Sequence, residues 1–323
     1  MKITVIDDYQ DAFRKLACYA RLKDHEVKVF TDTEKDPAKL AVRLKDAEAV
    51  VLTQQRSFFP RAVIEKLPAG LKLIAQTGRS STHIDVVACT ERGIVVAAAG
   101  SGNSYSTAEL AWGLIIASLR HLPYEVQQLK QGKWLTTLGT GLHGKTLGVY
   151  ALGKIGGHVA QIGKAFGMEI TCWGREASKA RASEAGYEVP AGRAAFFEGA
   201  DVISLHIPLN KETRGIVTRD DLAHMKPTAL IVNTSRAGII QDGALVEALK
   251  KGRPGFAAVD VYEDEPVVGG NHPLLKMANA LCTPHLGYVV QSSYENFYDT
   301  VIDSILGFAA GKPVNVLNPE ALG

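Results

Sequence analysis

The sequence predicts an α/β protein made of two doubly wound parallel-sheet domains. Short apolar runs typical of buried strands alternate with helical segments through the first hundred residues, and the same alternation starts again at residue 146. Alternating β and α segments fold as parallel sheets with helices on both faces. The last helical stretch, residues 291–310, has no strands of its own, so we expect it to return to the first domain. The predicted domains are residues 1–101 plus 291–323 and residues 102–290.

Composition and charge narrow the class of protein. Of the 323 residues, 46% are apolar and 22% are charged, which is typical of a globular protein with a substantial core. The 36 basic and 34 acidic residues nearly balance, so neither a nucleic acid nor a membrane surface is predicted as a partner. The four scattered cysteines predict buried reduced thiols and no metal site. No apolar run could span a bilayer and no signal-peptide pattern is present, so we expect a cytoplasmic protein.

The first domain is predicted to contain five strands and four helices before residue 98. The strands are expected at 3–6, 26–30, 49–53, 71–76 and 94–97, and the helices at 11–22, 38–45, 61–67 and 84–92. The turn after the first strand, Asp7-Asp8-Tyr9-Gln10, has no glycine and carries negative charge. Such a turn is a poor cradle for a phosphate, so we expect this domain not to bind a nucleotide.

A helix at 106–119 follows a stretch of small residues. Ser106 is expected to cap it, with Glu109 at the capping-box position. The helix is apolar on most faces, which predicts burial between domains or between the subunits of a homodimer. A second helix is expected from Pro123 to about Gly132.

The second alternation opens on a glycine turn. Its strands are expected at 146–150, 169–173, 201–207, 229–233, 255–261 and 279–283, and helices at 156–167, 178–185, 219–224 and 243–250. The turn runs Ala151-Leu-Gly153-Lys-Ile-Gly156, so Ala151 replaces the first glycine of the G-x-G-x-x-G fingerprint. Six strands opening on such a turn favour a Rossmann domain, in which the backbone amides at the helix start face a pyrophosphate.

The end of the next strand bears on the choice of nucleotide. An NAD site normally has Asp or Glu about 20 residues after the turn, and here Gly174 stands 18 residues (174 − 156) after Gly156. Arg175 follows it, and an arginine attracts the 2′-phosphate that a carboxylate would repel. This favours NADP(H) over NAD(H). The alternative is that Arg175 is solvated and Glu176 holds the ribose hydroxyl.

Ionisable residues follow three later strands of the second domain. Arg236, Asp260 with Glu265, and His285 each stand just beyond the carboxyl end of a predicted strand. Ligands of open α/β sheets bind at that edge. A lone arginine or histidine after a strand is usually structural, but several on the edge that holds the glycine turn indicate a site.

These motifs together resemble one family. The segments LGVYALGKIG, SLHIPLN, MKPTALIVNTSRAGII, AAVDVYEDEP and CTPHLG resemble, in order and spacing, those of the D-isomer-specific 2-hydroxyacid dehydrogenases. The resemblance implies a Rossmann NAD(P)-binding domain inserted in a flavodoxin-like substrate domain. It also implies reversible reduction of a 2-oxo acid to a D-2-hydroxy acid with NAD(P)H, in a cleft between the domains. Glyoxylate or hydroxypyruvate, 3-phosphoglycerate and a bulkier 2-oxo acid remain alternatives.

The resemblance also implies roles for particular residues. Arg236 would hold the substrate carboxylate and polarise the carbonyl, and His285 would be the general acid or base. Glu265 would hydrogen-bond His285 and favour its protonated form, and Asp260 would hold the nicotinamide carboxamide. A family member without turnover, a nucleotide-sensing or co-repressor-like binding protein, is the alternative of a different class.

Further site residues follow from matching positions. The implied cofactor contacts are Gly153, Lys154, Ile155, Gly156, Gly174, Arg175, His206, Pro208, Thr213, Thr234 and Ser235. The implied substrate contacts are Gly78, Arg79, Ser80, Asn103 and Tyr288. Arg79 is unusual for the family, and it faces either an extra anionic group of the substrate or solvent. His206 is read equally as a structural residue.

Overall fold

The computed structural model describes residues 1–100 and 102–323. The chain divides into two compact units: unit 1 comprises Met1–Asn103 with Val289–Gly323, and unit 2 comprises Ser104–Tyr288. The predicted domain boundary at residue 101 lies outside the described residues. Each unit contains one parallel sheet, of five strands in unit 1 and six in unit 2, which confirms the predicted fold class.

The sheet of unit 1 has the strand order β2-β1-β3-β4-β5, with every pair parallel. Its strands are β1 (Lys2–Ile6), β2 (Glu26–Val29), β3 (Ala49–Leu52), β4 (Leu73–Thr77) and β5 (Val95–Ala99). All residues of β3, β4 and β5 are buried, as expected for strands covered on both faces. The strand order reverses between β1 and β3, which is where such sheets bind ligands.

Three short helices connect these strands: α1 (Pro37–Arg43), α2 (Arg61–Ile64) and α3 (Val86–Glu91). The side chain of Asp36 accepts hydrogen bonds from the first turn of α1, and that of Asp85 from the first turn of α3. The predicted helix at 11–22 is wrong in type. Two 3-10 segments, Phe13–Lys15 and Ala17–Leu22, occupy it, because Leu16 adopts an extended backbone (ψ 144°) that interrupts α-helical bonding.

Unit 2 contains seven helices and six strands. The helices are α4 (Ser104–Leu119), α5 (Leu122–Lys130), α6 (Lys154–Ala165), α7 (Glu176–Glu184), α8 (Arg193–Gly199), α9 (Arg219–His224) and α10 (Ala244–Lys250). The strands are β6 (Thr146–Tyr150), β7 (Glu169–Trp173), β8 (Val202–Leu205), β9 (Leu230–Asn233), β10 (Phe256–Val259) and β11 (Ala280–Cys282). Helix α8, which carries the buried pair Phe196 and Phe197, was not predicted from the sequence.

The sheet of unit 2 has the order β11-β10-β9-β8-β6-β7, again all parallel. A parallel bridge between Thr171 and Glu188 extends it by one position beyond β7. With that bridge counted, the first three segments stand in the order 3-2-1 and the later strands follow on the other side of β6, as in a Rossmann sheet. The order reverses between β6 and β8, directly beside the glycine turn.

Helix α4 is buried within unit 2. Ala108, Ala111, Trp112 and Ile115 belong to one core with α6 and the central strands, and α4 packs on β9 and β10. This covers most of the apolar surface that suggested a subunit interface. The capping role predicted for Ser106 is wrong, because α4 begins two residues earlier and the Ser106 hydroxyl donates to the Gly287 carbonyl at 3.0 Å.

The last helix, α11 (Gln291–Ala309), packs on β4 and β5 of unit 1. Tyr298 is buried there, and its hydroxyl lies 2.9 Å from that of Thr53. After α11 the side chain of Asn318 accepts from the Val96 amide at 2.7 Å and donates to the Ile94 carbonyl at 2.9 Å. The C-terminal segment is therefore part of the core of unit 1. No helix among the described residues is long and apolar enough to cross a membrane.

Candidate functional site

The glycine turn after β6 leaves the start of α6 without a side-chain cap. Gly153 is the N-cap residue, and no side chain accepts hydrogen bonds from the first turn. The first amides of a helix have no partner inside it, so they form a site for an anion. Ala151 has a left-handed backbone (φ 74°), the conformation that the glycine of the fingerprint would take more easily.

Gly156 allows the helix to lie close to the turn. A Cβ atom at this position would lie 2.4 Å from the Ala151 carbonyl oxygen, so no larger residue fits without a backbone shift. This close approach of helix and strand is the role of the last glycine of the fingerprint. With the uncapped helix start, it fits the pyrophosphate of a dinucleotide, which Gly153, Lys154, Ile155 and Gly156 would hold.

The end of β7 presents exposed ion pairs rather than a buried carboxylate. Gly174 has a φ of 149°, and Arg175 forms an exposed ion pair with Glu212 at 2.7 Å. In the first turn of α7, Lys179 lies over the Trp173 ring at 4.4 Å and pairs with Glu176 at 2.9 Å. Exposed ion pairs of this kind are weak, so Arg175 can exchange Glu212 for another anion.

The loop after β8 contains three of the predicted cofactor residues. The Thr213 hydroxyl donates to the Pro208 carbonyl at 2.6 Å, which closes the turn between them. His206 Nε2 lies 2.9 Å from the Ser204 hydroxyl, and its buried Nδ1 has no hydrogen-bond partner among the described residues. Burial lowers the pKa of His206 to about 4, so this ring is neutral near pH 7.

The segment after β9 carries Thr234, Ser235 and Arg236. The Ser235 hydroxyl donates to the Leu205 carbonyl at 2.8 Å, which ties this segment to the neighbouring β8. Asn233 fixes the backbone: its Nδ2 donates to the Arg236 carbonyl at 3.0 Å, and its Oδ1 accepts from the Ser235 amide at 3.0 Å. Arg236 itself is exposed, and its guanidinium donates to the Ser235 carbonyl at 2.7 Å. The Thr234 hydroxyl is buried without a partner among the described residues.

Asp260, at the end of β10, holds the loop that carries His285. Its carboxylate accepts from the Thr283 hydroxyl at 2.6 Å and from the amides of Leu286 at 2.7 Å and Gly287 at 2.9 Å. The side chain is fully buried, which raises the pKa of Asp260, and these hydrogen bonds oppose the rise. Three of about four lone-pair positions are used in this way, so the carboxylate can accept about one further donor.

Glu265 and His285 form a direct pair. Glu265 Oε2 lies 2.7 Å from His285 Nδ1, and Glu265 Oε1 accepts from the Tyr262 amide at 3.0 Å. Both side chains are 18% exposed. Because an ionised carboxylate can only accept, Nδ1 carries the proton in this pair. The backbone of His285 is left-handed (φ 57°), a strained conformation for a side chain of this size.

Adjacent strands bring these groups together. Asn233 at the end of β9 is paired with Val259 of β10, and Val259 with Cys282 of β11. Neighbouring strands lie about 4.8 Å apart, so the residues that follow them emerge side by side. The edge predicted from the sequence therefore holds Arg236, Asp260, Glu265 and His285.

Two supporting residues could not be recognised from the sequence. The Ser106 and Thr107 hydroxyls, in the first turn of α4, both donate to the Gly287 carbonyl, at 3.0 and 2.9 Å. They support the Gly287 carbonyl of the His285 loop, whose amide Asp260 holds, across about 180 positions of sequence. Tyr288, a predicted substrate contact, has its ring centroid 5.8 Å from that of His285.

The remaining predicted substrate residues belong to unit 1. Gly78 has a φ of 83°, and its amide donates to the Ala99 carbonyl at 2.7 Å. That amide is thus taken up by the sheet, and the predicted contact of Gly78 with the substrate stays a prediction. Arg79 is exposed, the Ser80 hydroxyl accepts from the Gln55 side chain at 2.6 Å, and Asn103 is exposed.

Comparisons with known proteins agree with this architecture. Residues 112–287 match the family model described as D-isomer specific 2-hydroxyacid dehydrogenase, NAD binding domain. The chain is 38% identical to D-3-phosphoglycerate dehydrogenase of Methanocaldococcus jannaschii over 98% of its own length and 59% of the relative's. It is 33% identical to glyoxylate reductase of Thermococcus litoralis, covering 93% of this chain and 92% of the relative. The crystal structure of phosphoglycerate oxidoreductase from Vibrio cholerae o395 superposes with a TM-score of 0.92 at 46% identity, over 96% of this chain and 99% of that one.

The fold and the strand-edge residues define a protein of the nicotinamide-dinucleotide-binding α/β class. Within this class, the chain belongs to the D-isomer-specific 2-hydroxyacid dehydrogenase family, which confirms the resemblance seen in the sequence. The chain spans less than two thirds of the length of the phosphoglycerate dehydrogenases that it matches, such as 59% of the Methanocaldococcus protein and 56% of its Archaeoglobus fulgidus counterpart.

Proposed function

We propose that this protein is an NAD(P)-dependent oxidoreductase that interconverts a 2-oxo acid and a D-2-hydroxy acid. The observation that carries the proposal is the 2.7 Å contact between Glu265 and His285 Nδ1, on the sheet edge where Arg236 also emerges. Reduction of a carbonyl to an alcohol needs a proton donor beside the reacting carbon and a cation for the carboxylate. Histidine and arginine supply these two functions.

His285 would donate the proton in reduction and accept it in oxidation. Glu265 holds Nδ1, so Nε2 of the ring would exchange the proton with the oxygen of the substrate. Asp260 would act at a distance, through its hydrogen bonds to the amides of Leu286 and Gly287, by fixing the loop in which His285 stands.

Arg236 would bind the substrate carboxylate. The guanidinium matches a planar carboxylate through two parallel hydrogen bonds, and it polarises the neighbouring carbonyl. Bound NAD(P)H supplies the hydride. The residues suited to hold it are the glycine turn at 153–156, the loop of His206, Pro208 and Thr213, and the segment Thr234–Ser235.

Replacing His285 tests the proposal. For His285→Ala we expect a fall in kcat of about 10²- to 10⁴-fold with glyoxylate, hydroxypyruvate or 3-phosphohydroxypyruvate, whichever the wild type reduces. The dissociation constant for NADH or NADPH should change less than twofold. His224→Ala is the matched control, because it removes another His–Glu contact (2.8 Å, to Glu198) away from the strand edge. Full activity of the His285 variant would refute the assigned acid.

The same assay addresses a nucleotide-sensing protein without turnover. Such a protein would bind NADH. It would oxidise NADH neither with the three acids nor with longer 2-oxo acids. The relatives named above are dehydrogenases and reductases, which favours turnover. Phosphoglycerate and glyoxylate appear in the names of those relatives, and the rate screen would establish which acid this chain prefers.

We further propose that NADP(H) is preferred over NAD(H). Gly174 presents no carboxylate to the ribose, and Arg175 can leave its exposed pair with Glu212 to bind a 2′-phosphate. A charge-assisted hydrogen bond contributes about 1.5–3 kcal/mol. Arg175→Asp should therefore reduce kcat/KM for NADPH relative to NADH by roughly 10- to 100-fold. An unchanged ratio would assign the 2′-phosphate, if it binds, to another residue.

A homodimer is proposed on different grounds from those of the sequence. Trp134, Leu135 and Leu138 are 76%, 80% and 95% exposed on the segment after α5. A contiguous exposed apolar segment indicates an interaction surface. Sedimentation velocity should show a dimer that Trp134→Glu with Leu138→Glu converts to a monomer, while Val42→Glu, at another exposed apolar residue, has no effect. A monomeric wild type at high concentration would contradict this.

A further inference from the structure

The carbonyl of Gly287 accepts two hydrogen bonds from the first turns of helix α4. The Ser106 hydroxyl donates to it at 3.0 Å and the Thr107 hydroxyl at 2.9 Å. A carbonyl oxygen has two lone pairs, so these two donors satisfy it fully. Gly287 and Ser106 are both buried, so a carbonyl that lost both donors would be left inside the protein without a partner.

The amide side of Gly287 is held as well. Its N–H donates to the Asp260 carboxylate at 2.9 Å, and the N–H of Leu286 donates to the same carboxylate at 2.7 Å. A Cβ atom at residue 287 would lie 3.4 Å from Asp260 Oδ2 and 3.4 Å from Thr107 Cγ2, so the glycine packs against both the carboxylate and the helix. We call the contacts of Ser106, Thr107 and Asp260 with this residue the Gly287 clamp.

The Gly287 clamp bears on His285 because the backbone of that histidine is strained. His285 has a φ of 57°, a left-handed conformation that a residue with a side chain keeps only where its surroundings hold it. Before it, Thr283 is bound to Asp260 through its hydroxyl at 2.6 Å, and after it Leu286 and Gly287 are bound as described. Release of Gly287 would let the backbone at His285 relax, and the imidazole ring would move with it.

The Gly287 clamp also stands at the end of unit 2. The Gly287 carbonyl belongs to the peptide bond of Tyr288, the last residue of this unit, while α4 begins at Ser104, the first residue of the unit. The Tyr288 ring lies edge-on to the His285 ring, with 5.8 Å between their centroids. One carbonyl therefore connects α4 to the backbone of both residues whose rings meet in this loop.

We propose that Ser106 and Thr107 are positioning residues that set the place of the His285 ring through the Gly287 carbonyl. Both hydroxyls donate to that carbonyl, so they act through the backbone of the loop. The effect on turnover rests on the proposed function, in which His285 exchanges the proton, whereas the effect on the place of the ring does not. Since a misplacement of about 1 Å costs a reacting group about 100-fold in rate, turnover should be sensitive to the clamp.

Removal of both hydroxyls tests the proposal kinetically. For Ser106→Ala with Thr107→Val, which nearly keeps the side-chain shapes, kcat with the 2-oxo acid that wild type reduces should fall about 10- to 100-fold. KM and the dissociation constant for NADH or NADPH should change less than twofold, because Arg236 and the glycine turn are untouched. Thr107→Ser, which keeps the hydroxyl, should retain at least half of the wild-type kcat.

Ser118→Ala is the matched control for the kinetic test. It removes a hydroxyl from the other end of α4 that has no hydrogen-bond partner among the described residues, so it should behave as wild type. An unchanged kcat in the double variant, a change confined to KM, or an equal loss in Ser118→Ala would overturn the positioning role.

The place of the ring needs a readout that does not depend on activity. In ¹⁵N-histidine-labelled protein, the double variant should shift the His285 ring signals, assigned by their loss in His285→Ala, and leave those of His224 unchanged. Thr107→Val alone keeps the Ser106 donor, so it should shift them less, and it replaces the double variant if that does not fold. Unshifted His285 signals would overturn the proposal. Shifted signals in a protein that reduces no 2-oxo acid would support the positioning and refute the proposed function.

Discussion

The first βα turns of the two units differ in what occupies the amides at the start of the following helical segment. In unit 1 the two carboxylate oxygens of Asp8 accept from the amides of Ala12 and Phe13, each at 2.9 Å. In unit 2 the residue at the helix start is Gly153, and no side chain caps α6. Both turns stand at the point where the strand order of their sheet reverses. In unit 1 a carboxylate of the chain itself accepts from the amides at the start of the helical segment. In unit 2 no side chain accepts from the corresponding amides.

The backbone beside these turns is similar in one respect. Asp7 in unit 1 and Ala151 in unit 2 directly follow the first strand, and both are left-handed, with φ of 62° and 74°. The topology and the sharp turn are thus common to both units. A doubly wound sheet therefore does not make a nucleotide site by its strand order alone, because a residue without a side-chain acceptor must also stand at the helix start.

Adding a side-chain acceptor to the uncapped turn of unit 2 should have the largest effect, a loss of cofactor binding. Gly153→Asp places a carboxylate at the start of α6, so it would cap the helix, as Asp8 does for the helical segment of unit 1, and repel the pyrophosphate. At about 4 Å two like charges repel by about 4 kcal/mol near a protein surface, so NADH and NADPH should bind roughly 100-fold more weakly or worse. Fluorescence titration would measure this. Thermal stability should not fall, since an N-cap carboxylate stabilises a helix.

The reciprocal variant tests whether cofactor affinity depends on the amides at the start of α6 and not on negative charge in general. Asp8→Gly should destabilise the protein by about 1 kcal/mol through loss of the cap, and NADPH affinity should remain that of wild type. Unchanged NADPH affinity in Gly153→Asp would show that the open helix start is not the cofactor site.

The close approach at Gly156 should give the next largest effect. Gly156→Ala forces a Cβ atom to within 2.4 Å of the Ala151 carbonyl oxygen unless the backbone moves, and overpacking of this kind costs about 1–3 kcal/mol. Gly157→Ala is the matched control, because a Cβ atom there meets nothing within 4 Å. The free energy of unfolding of that variant should stay constant or rise by about 0.4–1 kcal/mol. Urea unfolding of both variants would measure the difference, and equal stabilities would contradict the packing role.

The pH dependence of stability that His83 of unit 1 causes should be a smaller effect than the preceding ones. His83 is 4% exposed, and burial lowers its pKa to about 4. In the unfolded chain this histidine binds a proton below about pH 6.5. Between about pH 4 and pH 6.5 the unfolded state therefore holds more protons than the folded state. The free energy of unfolding then falls as the pH decreases. From pH 7 to pH 5 the expected loss from this group is about 2 kcal/mol. The full loss of stability from His83 is reached only below its folded-state pKa.

Urea unfolding at pH 7 and pH 5 would show this contribution. His83→Asn should lose less stability over the interval than wild type, while His224→Asn, at an exposed histidine, should follow wild type. An identical loss in the His83 variant would mean that other groups cause it.

Most of the fold could be predicted because both units have regular patterns. The runs at β3, β4 and β6 are apolar and bounded by turns, so their existence did not depend on distant contacts. The segment 11–22 was predicted as one helix, since composition alone does not report the extended backbone at Leu16. Helix α8 was missed, and its phenylalanine pair becomes informative only inside the core.

The candidate site likewise contains residues that the sequence predicted and residues that only the structure revealed. Arg236, Asp260, Glu265 and His285 were recognisable because they follow strands directly, and adjacent parallel strands carry them to one edge. Ser106 and Thr107 were not, because their hydroxyls meet the Gly287 carbonyl across about 180 positions of sequence.

The sequence by itself determined the two parallel sheets, the glycine turn and the edge at which the ionisable residues collect, because each depends on local patterning and on the direction of neighbouring strands. Only the tertiary structure decided that Asp8 closes one turn while Gly153 leaves the other open, and that Asp260 and α4 together hold the His285 loop. Hydrogen bonds form between groups that folding brings within about 3 Å, and sequence spacing does not encode that distance.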